Sequence, residues 1–231
     1  ADQEPEYFAK IHGSNIDAGY YSGQSELLKN ANFMASLYGT SFDPQKMNTH
    51  LQILDGGVNY KKYQYSGIQV QASLISNVIK STVLISDTNI KAFLTGEMNL
   101  DSLNEYASAR ISIEGSDLYK LHLSEKPLRV SGKSTIKIEG FDVKAMNGLA
   151  TFSKIMIINE EGQYPLDSIY IKILNSEQRS EITVKSKLVD ANLKGTLNLA
   201  TIPDVIKNYT ENYLKTSIQD NRIDREGQNF E

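Results

Sequence analysis

The sequence predicts an all-β fold, and three observations support that prediction. From about Asn30 to Leu199 apolar and polar residues alternate with a period of two, as in strands whose two faces meet different surroundings. Clusters of Gly, Asp and Asn separate the alternating stretches, and most of the five prolines lie at segment edges. Hydrophobic residues make up 40% and charged residues 23% of the 231 positions, which is typical of a folded chain and excludes disorder of the whole chain.

Five stretches show the alternation most regularly. Between Gly67 and Leu74 every second residue is apolar and each residue between them is polar. The same pattern occurs at 109–114, 134–139, 169–173 and 182–185. Each stretch is therefore expected to be a strand with one face buried and one face in water.

Four clusters suit turns that need a positive φ angle. They are Asp55–Gly57, Glu114–Asp117, Asn147–Gly148 and Glu160–Gly162. We expect the chain to reverse direction at these points.

The two ends of the chain depart from the strand pattern. Thr201–Asp204 has the features of a helix start, and apolar residues at helical spacing follow it, so we predict an amphipathic helix over 202–216. Ser25–Lys29 is expected to be a short helix or a loop before the first clear strand, Ala31–Leu37. The predicted organisation is an N-terminal segment 1–30, a β region with its helix over 31–216 and a polar tail 217–231.

A weak internal repeat divides the β region. Leu94–Leu100 is similar to Leu193–Leu199, and Tyr63–Val70 is similar to Tyr164–Ile171, at offsets of 99 and 101 residues. Two similar offsets predict repeated strand modules, about 31–100 and 101–200. Chance similarity between alternating strands is the alternative.

Composition excludes several classes of function. The 24 Lys and Arg residues against 28 Asp and Glu give a net charge of -4 without a basic stripe, so nucleic acid is not an expected partner. The chain has no cysteine, which excludes disulfides, thiolate metal sites and cysteine nucleophiles. The longest aliphatic run, Ile155–Ile158, is far shorter than the ~20 residues of a spanning helix. The first residues lack the features of a signal peptide, and a start without Met indicates an excised piece of a longer chain.

No motif in the sequence predicts catalysis. His12, His50 and His122 lie on separate segments without partners at metal-ligand spacing. Ser131–Thr135 looks like the end of a phosphate-binding loop, but Pro127 stands where that motif needs glycine. We therefore predict no enzyme, no metal and no cofactor, although carboxylates that meet only in space remain an open alternative.

The apolar side of such a sheet must be covered by something. A second sheet, the amphipathic helix and an apolar ligand are the three possibilities. With seven Phe and no Trp, the expected inner surface is mainly aliphatic, which favours a wide apolar channel over a sealed aromatic core. An ordinary closed β core is the alternative, and composition taken alone favours it; the resemblance described next is what shifts the expectation to the channel.

The chain resembles TamB proteins of the Bacteroidetes type, which belong to the AsmA-like superfamily. The similarity covers about 30–216, is strongest over 58–214, and rests on diffuse positions in β repeats rather than on a catalytic signature. The residues that carry it are Tyr60–Ile68, Val83–Ile90 with Gly96, Ser116–Leu123, Gln163–Ile169, Ser186, Asp190–Leu199, Pro203 and Tyr213–Leu214.

This resemblance implies an elongated, curved antiparallel sheet folded into a U-shaped open groove, the β-taco. It also implies a periplasmic location within a chain anchored in the inner membrane, of which this sequence would be an internal or C-terminal-region fragment without the anchor. The implied function is binding of acyl chains in the groove and carriage of phospholipid between the inner and outer membranes. The implied alternative is a translocation and assembly module that works with the outer-membrane barrel protein TamA by strand capture.

Physical chemistry explains why such a groove needs no sharp motif. Exposing an acyl chain to water costs ~0.8 kcal/mol per CH₂, or about 12 kcal/mol for sixteen carbons, whereas a head-group hydrogen bond returns only ~1 kcal/mol. Gly96 and Gly195 are expected to permit the bend of the sheet. For each expected groove residue, core packing is the alternative to lipid contact. These residues are the inward aliphatics Ile68, Val70, Ala72, Leu74, Val83, Ile85, Ile111, Ile113, Ile136, Ile138, Ile169, Ile171, Ile173, Ile182, Val184, Leu193 and Leu197.

Overall fold

The computed structural model describes residues 4–43, 45–142, 145–176, 179–187 and 189–195, and it confirms the all-β fold. This part of the chain forms one short helix and twelve strands. In chain order the elements are β1 (Glu6–Asp17), α1 (Ala18–Ser22), β2 (Leu28–Thr40), β3 (Asn48–Tyr60), β4 (Tyr63–Ile75), β5 (Val78–Ser86), β6 (Ile90–Asn99), β7 (Tyr106–Asp117), β8 (Leu128–Glu139), β9 (Asn147–Asn159), β10 (Gly162–Ser176), β11 (Arg179–Ser186) and β12 (Asp190–Gly195).

All twelve strands belong to one antiparallel sheet in which spatial order equals chain order. Two-residue turns join β3 to β4 and β4 to β5, with φ angles of 47° and 67° at Lys61 and Lys62 and of 46° and 67° at Ser76 and Asn77. Two successive residues with positive φ form a turn whose backbone twist matches the twist of the two strands that it joins. The sheet is therefore a meander of hairpins.

Three of the four predicted turns are wrong. Glu160–Gly162 lies at the β9–β10 turn as expected, but the other clusters lie within strands. Asp55–Gly57 occupies a stretch of β3 where the register with β4 shifts, and Glu114–Asp117 occupies a similar irregularity in β7. Asn147–Gly148 opens β9. Small and polar residues suit a β-bulge as well as a turn, which explains the error.

The N-terminal residues are part of the same sheet. β1 pairs with β2 along its length, with a bulge between Gly13 and Ile16. Asp17 caps α1 by accepting a hydrogen bond from the Tyr20 amide, and Gly23, at φ 70°, ends the helix. Residues 25–27 form a turn into β2, so of the two structures expected for Ser25–Lys29, a short helix or a loop, the structure has the loop.

The sheet is open and uncurled, and the expected closure into a U shape is not formed. Among the described elements, the extensive contacts join only strands that are consecutive in the chain, together with α1 and β2. Gly96 pairs in regular register with Ser81 and Ala109 and has no positive φ, so the bend expected there is wrong. Gly195, paired with Ser180, is the last described residue of β12.

The two predicted repeats lie six strands apart. Tyr63–Val70 opens β4, and Tyr164–Ile171 lies near the start of β10. Leu94–Leu100 belongs mainly to β6, whereas Leu193–Gly195 closes β12 and the rest of that copy lies outside the described residues. The predicted helix 202–216 and tail 217–231 also lie outside them.

The described residues contain almost no closed core. Leu121 and Ile182 are their only buried hydrophobic side chains, and most other aliphatic side chains are half-buried. A single layer of strands has this burial pattern because side chains are covered by their neighbours in the sheet and not by a facing layer. No helix among the described residues is long and apolar enough to cross a membrane.

Candidate functional site

The expected groove residues share one face of the sheet. Of the seventeen, Leu197 lies outside the described residues, and the strand register places the other sixteen on the same side. Val70, for example, pairs with Val83, which leads through Leu94 to Ile111. Directly paired residues in an antiparallel sheet point to the same side. We call this side the apolar face.

The opposite side, which we call the polar face, has a different composition. A ladder of directly paired residues there runs from Thr82 through Thr95 and Arg110 to Thr135. On the same face Lys80 Nζ lies 3.5 Å from Glu97 Oε2. This contrast between the faces makes the sheet amphipathic.

A row of small residues crosses the apolar face. Ala72, Ser81, Gly96 and Ala109 are paired in succession from β4 to β7. Larger side chains flank this row on both sides. One flanking row is Val70, Val83, Leu94 and Ile111, and the other is Leu74, Ile79, Met98 and, on β7, the smaller Ala107.

The difference in side-chain size leaves a shallow trough along the row. A hollow of about 250 Å³ lies in it, lined among others by Ile79, Gly96, Ala109 and Ile136. A Cβ atom on Gly96 would meet the Ser81 Oγ atom at 3.3 Å, which shows how closely the floor of the trough is packed. The trough runs perpendicular to the strands and thus along the sheet.

The apolar face is large and has no second layer of described residues over it. Eleven spacings of ~4.8 Å and strands of roughly 12 residues give a face on the order of 50 by 40 Å, or about 2,000 Å². Soluble monomers rarely expose apolar patches of more than a few hundred Å². A surface of this size is therefore expected to have an occupant.

A polar cluster lies where β4 begins and β5 ends. The carboxylate of Asp87, which is only 3% exposed, accepts hydrogen bonds from the Tyr63 hydroxyl at 2.5 Å, from the Ser66 amide and hydroxyl at 3.0 and 2.8 Å, and from the Asn89 amide at 2.8 Å. Burial opposes ionisation of this group, but the four donors outweigh it and hold the pKa of Asp87 below its ordinary value. Burial, followed by the bond to Asp87, raises the pKa of Tyr63.

The loop 118–127, which follows the C-terminal end of β7, contacts this cluster. His122 Nδ1 lies 3.2 Å from the carbonyl oxygen of Lys61, and its ring meets the Tyr63 ring edge-on at 6.2 Å. Leu121, beside it, is completely buried. The loop thus spans the ends of β4, β5 and β6 and joins parts of the sheet that are not neighbours.

Sequence reasoning missed both the small-residue row and the Asp87 cluster. The row depends on the register in which the strands pair, and a single sequence does not show that register. The cluster has one local signal, because Asp87 accepts from the amide two residues later as in an Asx turn. Its other partners, Tyr63 and Ser66, lie 24 and 21 positions away.

The histidines stay apart in the structure. His12 lies in β1, His50 stacks on Tyr38 in neighbouring strands at 4.9 Å, and His122 lies in the loop. Among the described residues no group of three metal-binding side chains comes together.

No family model matches the chain, and neither the curated proteins nor the solved structures contain a significant match to it. The resemblance to TamB proteins therefore stays a prediction.

Proposed function

We propose that the apolar face binds the acyl chains of a phospholipid or a similar lipid. The observation that carries this proposal is the placement of sixteen aliphatic side chains, predicted from the sequence, on one face over which no second layer of described residues lies. A chain of methylene groups suits such a surface because its affinity grows with buried length, by ~0.8 kcal/mol per CH₂.

The trough indicates how an acyl chain would lie. Three strand spacings of ~4.8 Å separate Ala72 from Ala109, so the four small residues offer about 14 Å of floor. An extended chain placed there contacts the small residues beneath it and the larger aliphatics on both sides. Recognition by apolar contact alone makes little distinction between head groups.

The wider role that we propose follows from the resemblance to TamB proteins. The chain would form part of a periplasmic bridge anchored in the inner membrane, and its apolar face would be one section of a path for phospholipid to the outer membrane. A β-sheet that grows by adding strands in chain order suits this role, because each added strand extends the same face.

An assembly module is the second candidate. β1 lies at the outer edge of the described sheet, and an exposed edge can pair with a further strand. In this version a strand of an outer-membrane barrel protein is the client, and a TamA-like barrel is the partner. Binding would then depend on the edge and not on the apolar face.

Adjacent substitutions on the two faces test the lipid proposal. Ile136 and Thr135 are neighbours in β8, both half-buried, and lie on the apolar and polar faces. We expect Ile136→Asp to weaken binding of a fluorescent C16 fatty acid about tenfold or more, because the carboxylate would lie against the chain, and Thr135→Asp to change it less than about twofold. Extraction of the purified wild-type protein and mass spectrometry should detect bound phospholipid.

Other results would contradict the proposal in different ways. Equal effects of the two substitutions would show that fatty-acid binding does not use the apolar face. Absence of lipid, together with a large loss of stability in Ile136→Asp alone, would indicate that protein covers the face. Capture of barrel-strand peptides that survives Ile136→Asp would favour the assembly module.

A further inference from the structure

We propose that the polar face docks on the surface of an anionic lipid bilayer through four cations, which we call the basic patch: Arg110, Lys133, Lys137 and Lys172. This surface lies opposite the apolar face. The inference therefore goes beyond lipid binding on that face and does not depend on it.

The strand register brings the four cations together. Lys133 and Lys137 lie on β8, and Arg110 of β7 pairs with the residue midway between them. Lys137 leads through Leu149 of β9 to Lys172 of β10. Strand spacings of ~4.8 Å and a rise of ~3.4 Å per residue place the patch within about 14 by 14 Å. All four side chains are exposed, and at this spacing they act together on an anionic surface.

No acidic side chain in the described part of the chain pairs with these four cations. The ion pairs found there involve other residues. On the polar face Glu97 already pairs with Lys80 at 3.5 Å, and Glu181 with Lys194 at 3.1 Å. Glu139 lies at the end of β8. The patch is therefore locally positive although the whole chain has a net charge of -4.

Hydroxyl groups lie between the cations. A hollow of about 240 Å³ on this face is lined, among others, by Ser108, Arg110, Thr135 and Lys137. Glu97 also lines it, with its carboxylate bound by a tyrosine hydroxyl and a lysine. Cationic groups and hydroxyl donors bind phosphate oxygens well. This part of the polar face therefore suits the phosphate of a lipid head group.

Two exposed apolar side chains beside the patch favour a bilayer over a free phosphate ion. Phe93 of β6 pairs with Leu84 of β5 on the polar face, and they are 45% and 37% exposed. On its other side Phe93 pairs with Ser112, which in turn pairs with Lys133. Aromatic and aliphatic side chains beside cations suit the boundary between head groups and acyl chains. A free phosphate ion would leave both apolar side chains in water.

Vesicle flotation with the full chain tests the docking. The protein should bind vesicles that contain about 30 mol% phosphatidylglycerol in about 0.1 M salt, and at least about tenfold more weakly in about 0.5 M salt or with pure phosphatidylcholine. This salt dependence tests the proposal without any substitution. Absence of binding to the anionic vesicles, or binding that salt leaves unchanged, would overturn it.

Charge reversal tests whether the patch is the surface that docks. Lys133→Glu combined with Lys172→Glu should weaken binding to the anionic vesicles about tenfold or more, because two attractions become repulsions. Lys62→Glu combined with Lys126→Glu changes the net charge equally at exposed positions outside the patch and should have less than about twofold effect. Equal losses in the two double variants would overturn the assignment to the patch.

Two neighbouring substitutions separate docking from fatty-acid binding. Thr135→Asp and Ile136→Asp each add one negative charge, on the polar and the apolar face. Thr135→Asp, at the centre of the patch, should weaken vesicle binding several-fold and leave fatty-acid binding unchanged, whereas Ile136→Asp should do the reverse. Loss of vesicle binding in Ile136→Asp alone would overturn docking by the polar face. Vesicle binding without fatty-acid binding would contradict only the function proposed for the apolar face.

Discussion

The Tyr63 hydroxyl donates a 2.5 Å hydrogen bond to Asp87 Oδ1, although the two residues are 24 positions apart. The bond joins the first residue of β4 to the turn that follows β5. It also orients the Tyr63 ring, which the His122 ring contacts edge-on. One buried carboxylate thus holds together the end of the sheet that the loop 118–127 spans.

We predict that Asp87→Asn destabilises the protein by about 2 kcal/mol, because a neutral amide accepts these hydrogen bonds less well and brings donors of its own. Urea denaturation followed by circular dichroism at neutral pH measures this change. Asp55→Asn, at an exposed position in β3, is the matched control and should alter stability by less than ~0.5 kcal/mol.

The same carboxylate predicts an acid dependence of stability. Its folded pKa lies below the ordinary value of 3.8, so its contribution is complete above that pH and is lost as the pH falls through the folded pKa. The free energy of unfolding should therefore decline below about pH 4 in the wild type and decline less in Asp87→Asn. Parallel curves for the two proteins would contradict this role of Asp87.

Filling the trough should reduce lipid binding without unfolding the sheet. Gly96 has no positive φ and lies in regular register, so Gly96→Val suits the strand once the Ser81 hydroxyl, 3.3 Å from the added Cβ, rotates away, and the valine methyl groups then occupy the trough. We expect several-fold weaker binding of the C16 fatty acid with unchanged or higher thermal stability. Gly115→Val is the control, because a Cβ there meets no atom within 4 Å and the residue pairs with Lys91 on the polar face.

The loop 118–127 should depend on its buried leucine. Leu121→Ala removes the only fully buried aliphatic side chain of the described residues, and we expect a loss of about 2–4 kcal/mol. Leu123→Ala, in the same loop but 41% exposed, should cost less than about 1 kcal/mol. Denaturant unfolding of both variants measures the difference, and similar losses would show that the burial of Leu121 is not what holds the loop.

The β3–β4 turn offers a stabilising substitution. Lys62 has a φ of 67°, a conformation that costs a residue with a Cβ about 1–2 kcal/mol, of which glycine avoids a part. We expect Lys62→Gly to raise the free energy of unfolding by ~0.5 kcal/mol. Lys91→Gly, inside β6 and without a positive φ, should lower it by a similar amount.

The strands and the composition of their faces were predictable because a period of two is written directly in the residues. Ile68, Val70 and Val83 share a face in the structure for the same reason that they stand out in the sequence. Turns were harder to predict, because the irregular stretch Asp55–Gly57 inside β3 has the same small and polar residues as a true turn. The turn at Lys61–Lys62 lacks those residues and is imposed by the pairing of β3 with β4.

The curvature of the sheet was not predictable from individual residues. The U shape was implied by the resemblance alone, and the bend expected at Gly96 needs an irregularity that its regular pairing does not have. The Asp87 cluster escaped prediction because its donors Tyr63 and Ser66 come from another strand. Contacts of this kind depend on register, which local patterns do not determine.

Sequential strand order has a consequence for the way the chain unfolds. Each strand exchanges hydrogen bonds only with the strands before and after it, so the energetics approach those of a one-dimensional array. Such arrays fray from their ends, and amide hydrogens in β1 should exchange faster than those in β6 or β7. Damage to one hairpin should leave distant hairpins protected, unlike the all-or-none melting of a small domain with a shared centre.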